Sequence, residues 1–343
     1  MYSRSSEEFF GFLSQERDRK LDHDLAVSLL AASSRWRAMS TDLADSPLFS
    51  SLASLGAKLY ASNRILLDTD ALVIFVCGSA SPGRPSAREQ LLRYAKKYFK
   101  HGTLFRAEDA FPVLSGSGSD DLLTIEHSLA EYSDCVLIIN ESAGTLAELG
   151  AFASNEAVVQ KLFVINPQEH LGVSSFINLG PIAKVDRKSR FKGTLHVDLH
   201  SVSLYFDTIL ERIEKNAVRK RRLGVDFSKV DAWKSTEGKL RFLLLQDILN
   251  LFCPITDKEL LKIMKSLFPK EWVNFTVELG LLVATNKITK EDDTYLSAPS
   301  CSKHTYDVDS REWLGIRKRV LALYRTKDKI RITRLQKRSS ESL

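Results

Sequence analysis

The stretch DCVLIINESAGTLAELGAFASNEAVVQKLFVIN (Asp134–Asn166) decides how this chain is read. Two short apolar runs, CVLII and LFVI, flank a longer segment whose apolar residues fall at helical spacing. Continuous apolar runs mark strands buried on both faces, and a helix between two of them makes a parallel βαβ unit. The alternation extends both ways. ALVIFVCG, SAREQLLRYAKKYF, TLFRAED and DDLLTIEHSLAEYS precede it; TLHVDL and VSLYFDTILERIEKN follow. The pattern predicts an α/β domain over residues 71–216. It is expected to be a doubly wound, flavodoxin-like parallel sheet of about five strands, with its pocket at the strand carboxyl ends.

The flanks read differently. Residues 1–70 are expected to form a helical amino-terminal segment, because 7–68 carry apolar residues at helical spacing without strand-like alternation. Residues 217–238 are basic and weakly periodic, and read as a linker. In 239–300, KLRFLLLQDILNLF, TDKELLKIMKSLF and KEWVNFTVELGLL precede two short β-rich runs around a charged turn. Three helices and then a hairpin is the order of a winged helix, and Thr256 with Glu259 forms a capping box at the second helix. Residues 301–343 read as a basic helix and tail.

Charge separates these parts. The 343 residues carry a net charge of +6, but 216–343 hold 26 Lys+Arg against 16 Asp+Glu, whereas 1–215 hold 23 against 27. One module is suited to a polyanion and the other to a different task. No apolar run approaches the roughly 20 residues that a membrane helix needs, and acids stand where a signal peptide would be basic, so the chain is expected to be cytoplasmic. Cys77, Cys135, Cys253 and Cys301 have neither metal-site nor disulfide-scaffold spacing, so neither a structural metal nor disulfides are expected; no cofactor is expected either.

Several side chains could carry chemistry. After Cys77 the turn Gly78-Ser79-Ala80-Ser81-Pro82-Gly83 leads to a helix opening near Ser86, a place where backbone N–H groups can approach a phosphate. It matches neither the dinucleotide glycine signature nor the P-loop. Glu108, Asp109 and Glu126 are acids near strand or helix ends, where such groups bind ribose hydroxyls or simply face solvent. Gly144-Thr145 with Glu148 admits two readings. Thr145 and Glu148 fit a capping box, or Glu148 is a carboxylate nucleophile aimed at the anomeric carbon of a sugar.

CGSASPGRPSAREQL, RAEDAF, LLTIEHSLAEYSD, INESAGTLAELGAFASNEAVVQKLFVI and SFINLGPI, in that order and spacing, resemble the effector proteins of retron defence systems. Those effectors join a nucleoside deoxyribosyltransferase-like domain to a DNA-binding winged helix. The resemblance covers roughly residues 71–300. It implies that Glu148 is the nucleophile and that Arg88, Asp109, Glu126, Asn155 and Asn178 line the pocket with Gly78, Ser79, Gly144 and Thr145. It leaves nucleosides, nucleotides and NAD open as substrates. Nicotinamide departs neutral from a cationic pyridinium and needs no proton, and the matched motifs hold no His except His127, so NAD is favoured as the substrate. The implied partners are a retron reverse transcriptase and its multicopy single-stranded DNA with its RNA. Arg219, Lys220, Arg221, Arg222, Lys270, Lys287 and Lys290 are the expected phosphate contacts. The rival readings are a deoxyribosyltransferase or nucleotide hydrolase in the same pocket, and a non-enzymatic DNA-binding regulator. Apolar faces within 7–68 leave a homo-oligomer or higher assembly open.

Overall fold

The structure, a computed structural model, describes residues 43–61, 65–67, 71–79, 85–114, 121–218, 223–291, 293–297 and 308–340. The elements run α1 (Pro47–Tyr60), β1 (Ile65–Leu67), β2 (Leu72–Cys77), α2 (Ala87–Tyr98), β3 (Gly102–Phe105), α3 (Ala107–Leu114), α4 (Leu122–Tyr132), β4 (Cys135–Ile139), α5 (Ala143–Ser154), α6 (Glu156–Val159), β5 (Leu162–Pro167), α7 (Ala183–Lys188), β6 (Leu195–Val197) and α8 (Phe206–Asn216). They continue with β7 (Leu223–Val225), α9 (Ala232–Ser235), α10 (Gly238–Phe252), β8 (Ile255–Thr256), α11 (Asp257–Leu267), α12 (Thr276–Ala284), β9 (Ile288–Glu291), β10 (Thr294–Ser297), α13 (Ser310–Lys327) and α14 (Lys329–Ser340).

Five parallel strands form one sheet in the order β3-β2-β4-β5-β6. Their side chains divide by parity. Leu72, Ile74 and Val76 pack beneath α2 and α8, while Val73, Phe75 and Cys77 pack beneath α3, α4 and α5. Burial on both faces accounts for the unbroken apolar runs in the sequence. The chain leaves β2 toward β3 on one side and returns to β4 on the other, so the strand order reverses between β2 and β4. A crevice opens outside their carboxyl ends at such a switch point.

The carboxyl-terminal part runs α10, β8, α11, α12 and the β9–β10 hairpin, with the three short strands paired antiparallel in the order β8-β10-β9. The Thr256–Glu259 capping box forms as the sequence predicts. Glu259 is fully buried. It also accepts from the Leu43 amide at 2.9 Å and pairs with the buried Arg331 at 2.6 Å, and Arg331 in turn binds Asp328 at 2.8 Å. This network ties α11 to α14.

The amino-terminal segment is helical over Pro47–Tyr60, as expected, and departs from that form at Ile65–Leu67. Residues 7–42 lie outside the described residues. Helix α1 packs on α11 and α13, so it belongs to the carboxyl-terminal unit. Ile65–Leu67, read as helical in the sequence, is a strand paired antiparallel with Leu223–Val225 of the supposed linker. Three residues carry too little periodicity to announce a strand whose partner lies about 160 positions away. No helix among the described residues is long and apolar enough to cross a membrane.

Candidate active site

Helix α5 begins at the end of β4, and its cap is not the one the sequence suggests. Ser142 is the N-cap: its hydroxyl accepts from the Thr145 amide at 3.3 Å, and the Thr145 hydroxyl accepts from the Ser142 amide at 3.1 Å. Thr145, 1 % exposed, is engaged in this box. Glu148 therefore lies a full turn beyond the cap, relieved of any capping duty. Gly144 lies exposed beside the cap, where an added Cβ would meet only Ser142 Oγ at 3.7 Å.

The Glu148 carboxylate faces the crevice side of the sheet. It lies beside the thiol of Cys77, the last residue of β2, and its Oε2 is buried without a hydrogen-bond partner. Burial holds its carboxyl above the usual range, and the Cys77 thiol and the Arg88 guanidinium pull it back. Burial likewise pushes the Cys77 thiol well up, with the Glu148 charge adding to it.

Arg88 is only 4 % exposed, at the start of α2. Its guanidinium grips Glu108 with two hydrogen bonds, at 2.9 and 3.3 Å, leaving Nε buried and unpartnered. Glu126, on α4, completes the group. Burial, then the Glu148 and Glu108 charges, push its carboxyl up to about 7 against a pull from Arg88. Three acids and one arginine thus share a partly dry space, and like charges there resist joint ionisation. Glu126 is poised to hold a proton near neutral pH beside a second carboxyl, an arrangement familiar from glycosidases. A carboxyl acid was the component that the sequence did not reveal.

The residue after β4 supplies a second surprise. Glu141 lies across the amino end of α2, accepting from the amides of Ser79 at 2.8 Å, Ala87 at 3.0 Å and Arg88 at 3.4 Å. Gly78 permits this approach, since an added Cβ would lie 2.9 Å from Glu141 Oε1 and 2.6 Å from Arg88 Cβ. The anion seat expected for a substrate phosphate is filled by the chain's own carboxylate. Beside it, Asn140 and Asn166 join the ends of β4 and β5 through a 3.0 Å bond and keep a buried Oδ1 and a buried Nδ2 without partners. Neither residue stood out in the sequence. A buried Asn at a strand end was the available signal.

Residues 84–291 match the family described as STM3845 retron effector protein. The chain belongs to that family.

Two proteins of Escherichia coli are similar to this retron effector. Over 258 residues it is 29 % identical to the "Retron Ec73 putative ribosyltransferase/DNA-binding protein", covering 69 % of this chain and 80 % of that one. Over 154 residues it is 33 % identical to the protein of the same description from retron Ec86, covering 45 % of this chain and 50 % of that one.

The remaining candidates of the retron effector are each engaged by partners of their own. Asp109 is held by Arg106 at 2.6 Å in the first turn of α3, and its neighbour Glu108 takes the place beside Arg88. Asn155 caps α6, accepting from the amides of Ala157 and Val158. Asn178 donates to the carbonyls of His170 and Val173, each at 2.7 Å, and so pins its own loop. Of two cavities, of about 750 and 270 Å3, the larger is walled by α2, β3 and the end of α12 and reaches Glu108 of the cluster, whereas the smaller, walled by Tyr132, Lys161 and Lys239, includes none of its acids. The candidate site rests on converging side chains; Glu148 and Glu126 line neither cavity.

Of the expected phosphate contacts, Arg219, Lys220, Arg221 and Arg222 lie outside the described residues. Lys270 is exposed and Lys287 half-buried. Lys290 is committed internally, pairing with Asp257 at 3.1 Å and donating to the Tyr295 hydroxyl at 3.2 Å.

Proposed function

We propose that this retron effector cleaves an N-glycosidic bond by way of a covalent ribosyl ester on Glu148, as a toxin against phage-infected cells. A Glu148 oxygen, ionised and free of any capping amide, attacks the anomeric carbon. The bond to the base breaks and its electron pair leaves with the base. From NAD the pair neutralises the pyridinium nitrogen. From a nucleoside or nucleotide the departing nitrogen takes a proton from Glu126. Water then opens the ester, giving a proton to the Glu126 carboxylate or to solvent and restoring Glu148.

The observation that carries this reading is the unpartnered, buried Glu148 Oε2 beside a carboxyl pushed up to about 7. NAD remains the favoured substrate. The second reading, a nucleoside or nucleotide as substrate, draws support from two features. Glu126 supplies the proton that a poor leaving group requires. Glu141 occupies the place where a pyrophosphate would otherwise sit.

The ordered α10-β8-α11-α12-hairpin unit supports a winged-helix reading, and the names of the relatives support contact with DNA. Restraint of the enzyme by the reverse transcriptase and its multicopy single-stranded DNA follows from that reading.

Purified protein incubated separately with NAD, nucleosides and nucleotides is expected to release free base, nicotinamide foremost, measured by chromatography. Glu148→Gln should abolish release while circular dichroism stays unchanged. Release unaltered in that variant overturns the assignment, and no release from any glycoside by the native protein leaves the regulator reading.

A further inference from the structure

In a winged helix that reads duplex DNA, the third helix enters the major groove. Here that helix is α12, TVELGLLVA, and it holds neither Lys nor Arg. Leu279, Gly280, Leu281, Leu282 and Ala284 are buried, and α12 packs on α3 of the α/β domain. The fit is close, because a Cβ on Gly280 would lie 3.0 Å from the Leu114 side chain. Its one buried charge, Glu278, is held by Arg241 at 2.8 Å and by the Tyr132 hydroxyl. Lys239, at the start of α10, pairs with Asp134 of the α/β domain at 2.7 Å.

Helix α13 presents the opposite picture. Ile316, Val320, Leu323 and Tyr324 face inward, while Arg311, Lys318, Arg319 and Arg325 are exposed and make no ion pair with the described residues. Arg311, Lys318 and Arg325 stand seven residues apart. Each such step turns an α-helix by only about 20° from a whole number of turns, so the three charges share one face at intervals of about 10 Å. The helix is fixed in place. Trp313 Nε1 donates to the Tyr60 hydroxyl at 3.0 Å, Arg317 to the Leu251 carbonyl at 3.1 Å, and the Tyr324 hydroxyl to the Phe252 carbonyl at 3.0 Å.

We propose that the exposed face of α13, with Arg311, Lys318, Arg319 and Arg325, is the surface on which this chain holds a nucleic-acid phosphate backbone, and that α12 serves to dock the two domains. The proposal rests on the DNA-binding reading of the relatives and gives that reading a location. A fixed row of unpaired cations suits a regular chain of phosphates. It suits a lipid surface poorly, because membrane-lying helices turn a broad apolar face outward, whereas Leu314 is the one large apolar side chain that α13 exposes.

The test uses full-length protein and fluorescence anisotropy on labelled single-stranded and duplex oligonucleotides across a range of salt concentrations. Combining Arg311→Gln, Lys318→Gln and Arg325→Gln should cut affinity at least tenfold. It should also flatten the slope of log K against log salt by about 2 on single strands and about 3 on duplex. Lys270→Gln with Lys287→Gln should leave the slope within about 1 of the native value. An unchanged slope in the triple variant overturns the proposal, as does a native chain with no affinity for either strand form. Equal loss of binding to phosphatidylserine vesicles, with DNA binding retained, overturns it in favour of a membrane. Base release is a separate readout: a chain that releases no base yet loses its salt slope in the triple variant upholds this surface and refutes only the glycosidase reading.

Discussion

Glu126→Gln separates catalysis from stability within one substitution. A carboxyl raised from 4.5 to about 7 corresponds to roughly 3 kcal/mol between its protonation states. Glu126 is partly open to water, and screening reduces that figure to about 1–2 kcal/mol. The sign follows from proton binding. Between pH 4.5 and about 7 the folded chain holds this proton and the unfolded chain does not, so native stability falls as pH rises through that window. Glutamine removes the dependence. The variant should match native protein near pH 4.5 and exceed it by about 1–2 kcal/mol at pH 8, a gain of about 1–3 °C in melting temperature for a chain of this length. Calorimetry at both pH values measures this. Base release provides the second half. Loss of a general acid costs about 10²–10⁴-fold with a nucleoside, whereas nicotinamide, which leaves neutral, should be affected far less. The native alkaline limb for nucleosides should fall near pH 7 and vanish in the variant. Equal loss on both substrates, or a stability difference independent of pH, would refute the role given to Glu126.

Other substitutions test individual contacts. Ser142→Ala should lower stability by about 1 kcal/mol through loss of the α5 cap, with base release kept within a few-fold, as read by denaturant unfolding and turnover. Glu141→Ala strips the carboxylate from three amides and should cost about 1–2 kcal/mol; millimolar inorganic phosphate should recover part of the melting temperature, and no response to phosphate would show that the seat is closed to anions. Arg331→Met leaves Glu259 and Asp328 buried without their cation and should cost about 3–5 kcal/mol in chemical unfolding. Gly280→Val should overpack the α12–α3 contact by about 1–3 kcal/mol and expose the junction to limited proteolysis.

The strands of the parallel sheet were legible because burial on both faces leaves a mark on every residue, and Ser86 and Thr256 cap helices where their sequence patterns predict. Short-range patterns misled where two of them overlapped. Thr145–Glu148 has the letters of a capping box, yet Ser142–Thr145 competes for the same turn and prevails with a threonine in the position usually held by an acid or amide. Contacts across long sequence separations were not legible at all. Glu141 meets amides 54 and 62 positions away, and the raised carboxyl of Glu126 depends on Glu148 and Glu108 from two other helices. The burial of α12 was likewise hidden, because an apolar third helix fits equally well a domain core or a domain junction.

Helix α3 has one end in each half of the molecule. Glu108, in its first turn, grips Arg88 beside the Glu148 carboxylate, and Leu114, its last residue, lies under Gly280 of the carboxyl-terminal unit. Eight residues of helix span only about 12 Å, so the two grips are links of one short lever. A pull on the carboxyl-terminal unit is therefore delivered to the guanidinium that offsets the charge of three acids, and the acid cluster and the unit beyond α3 cannot part company silently.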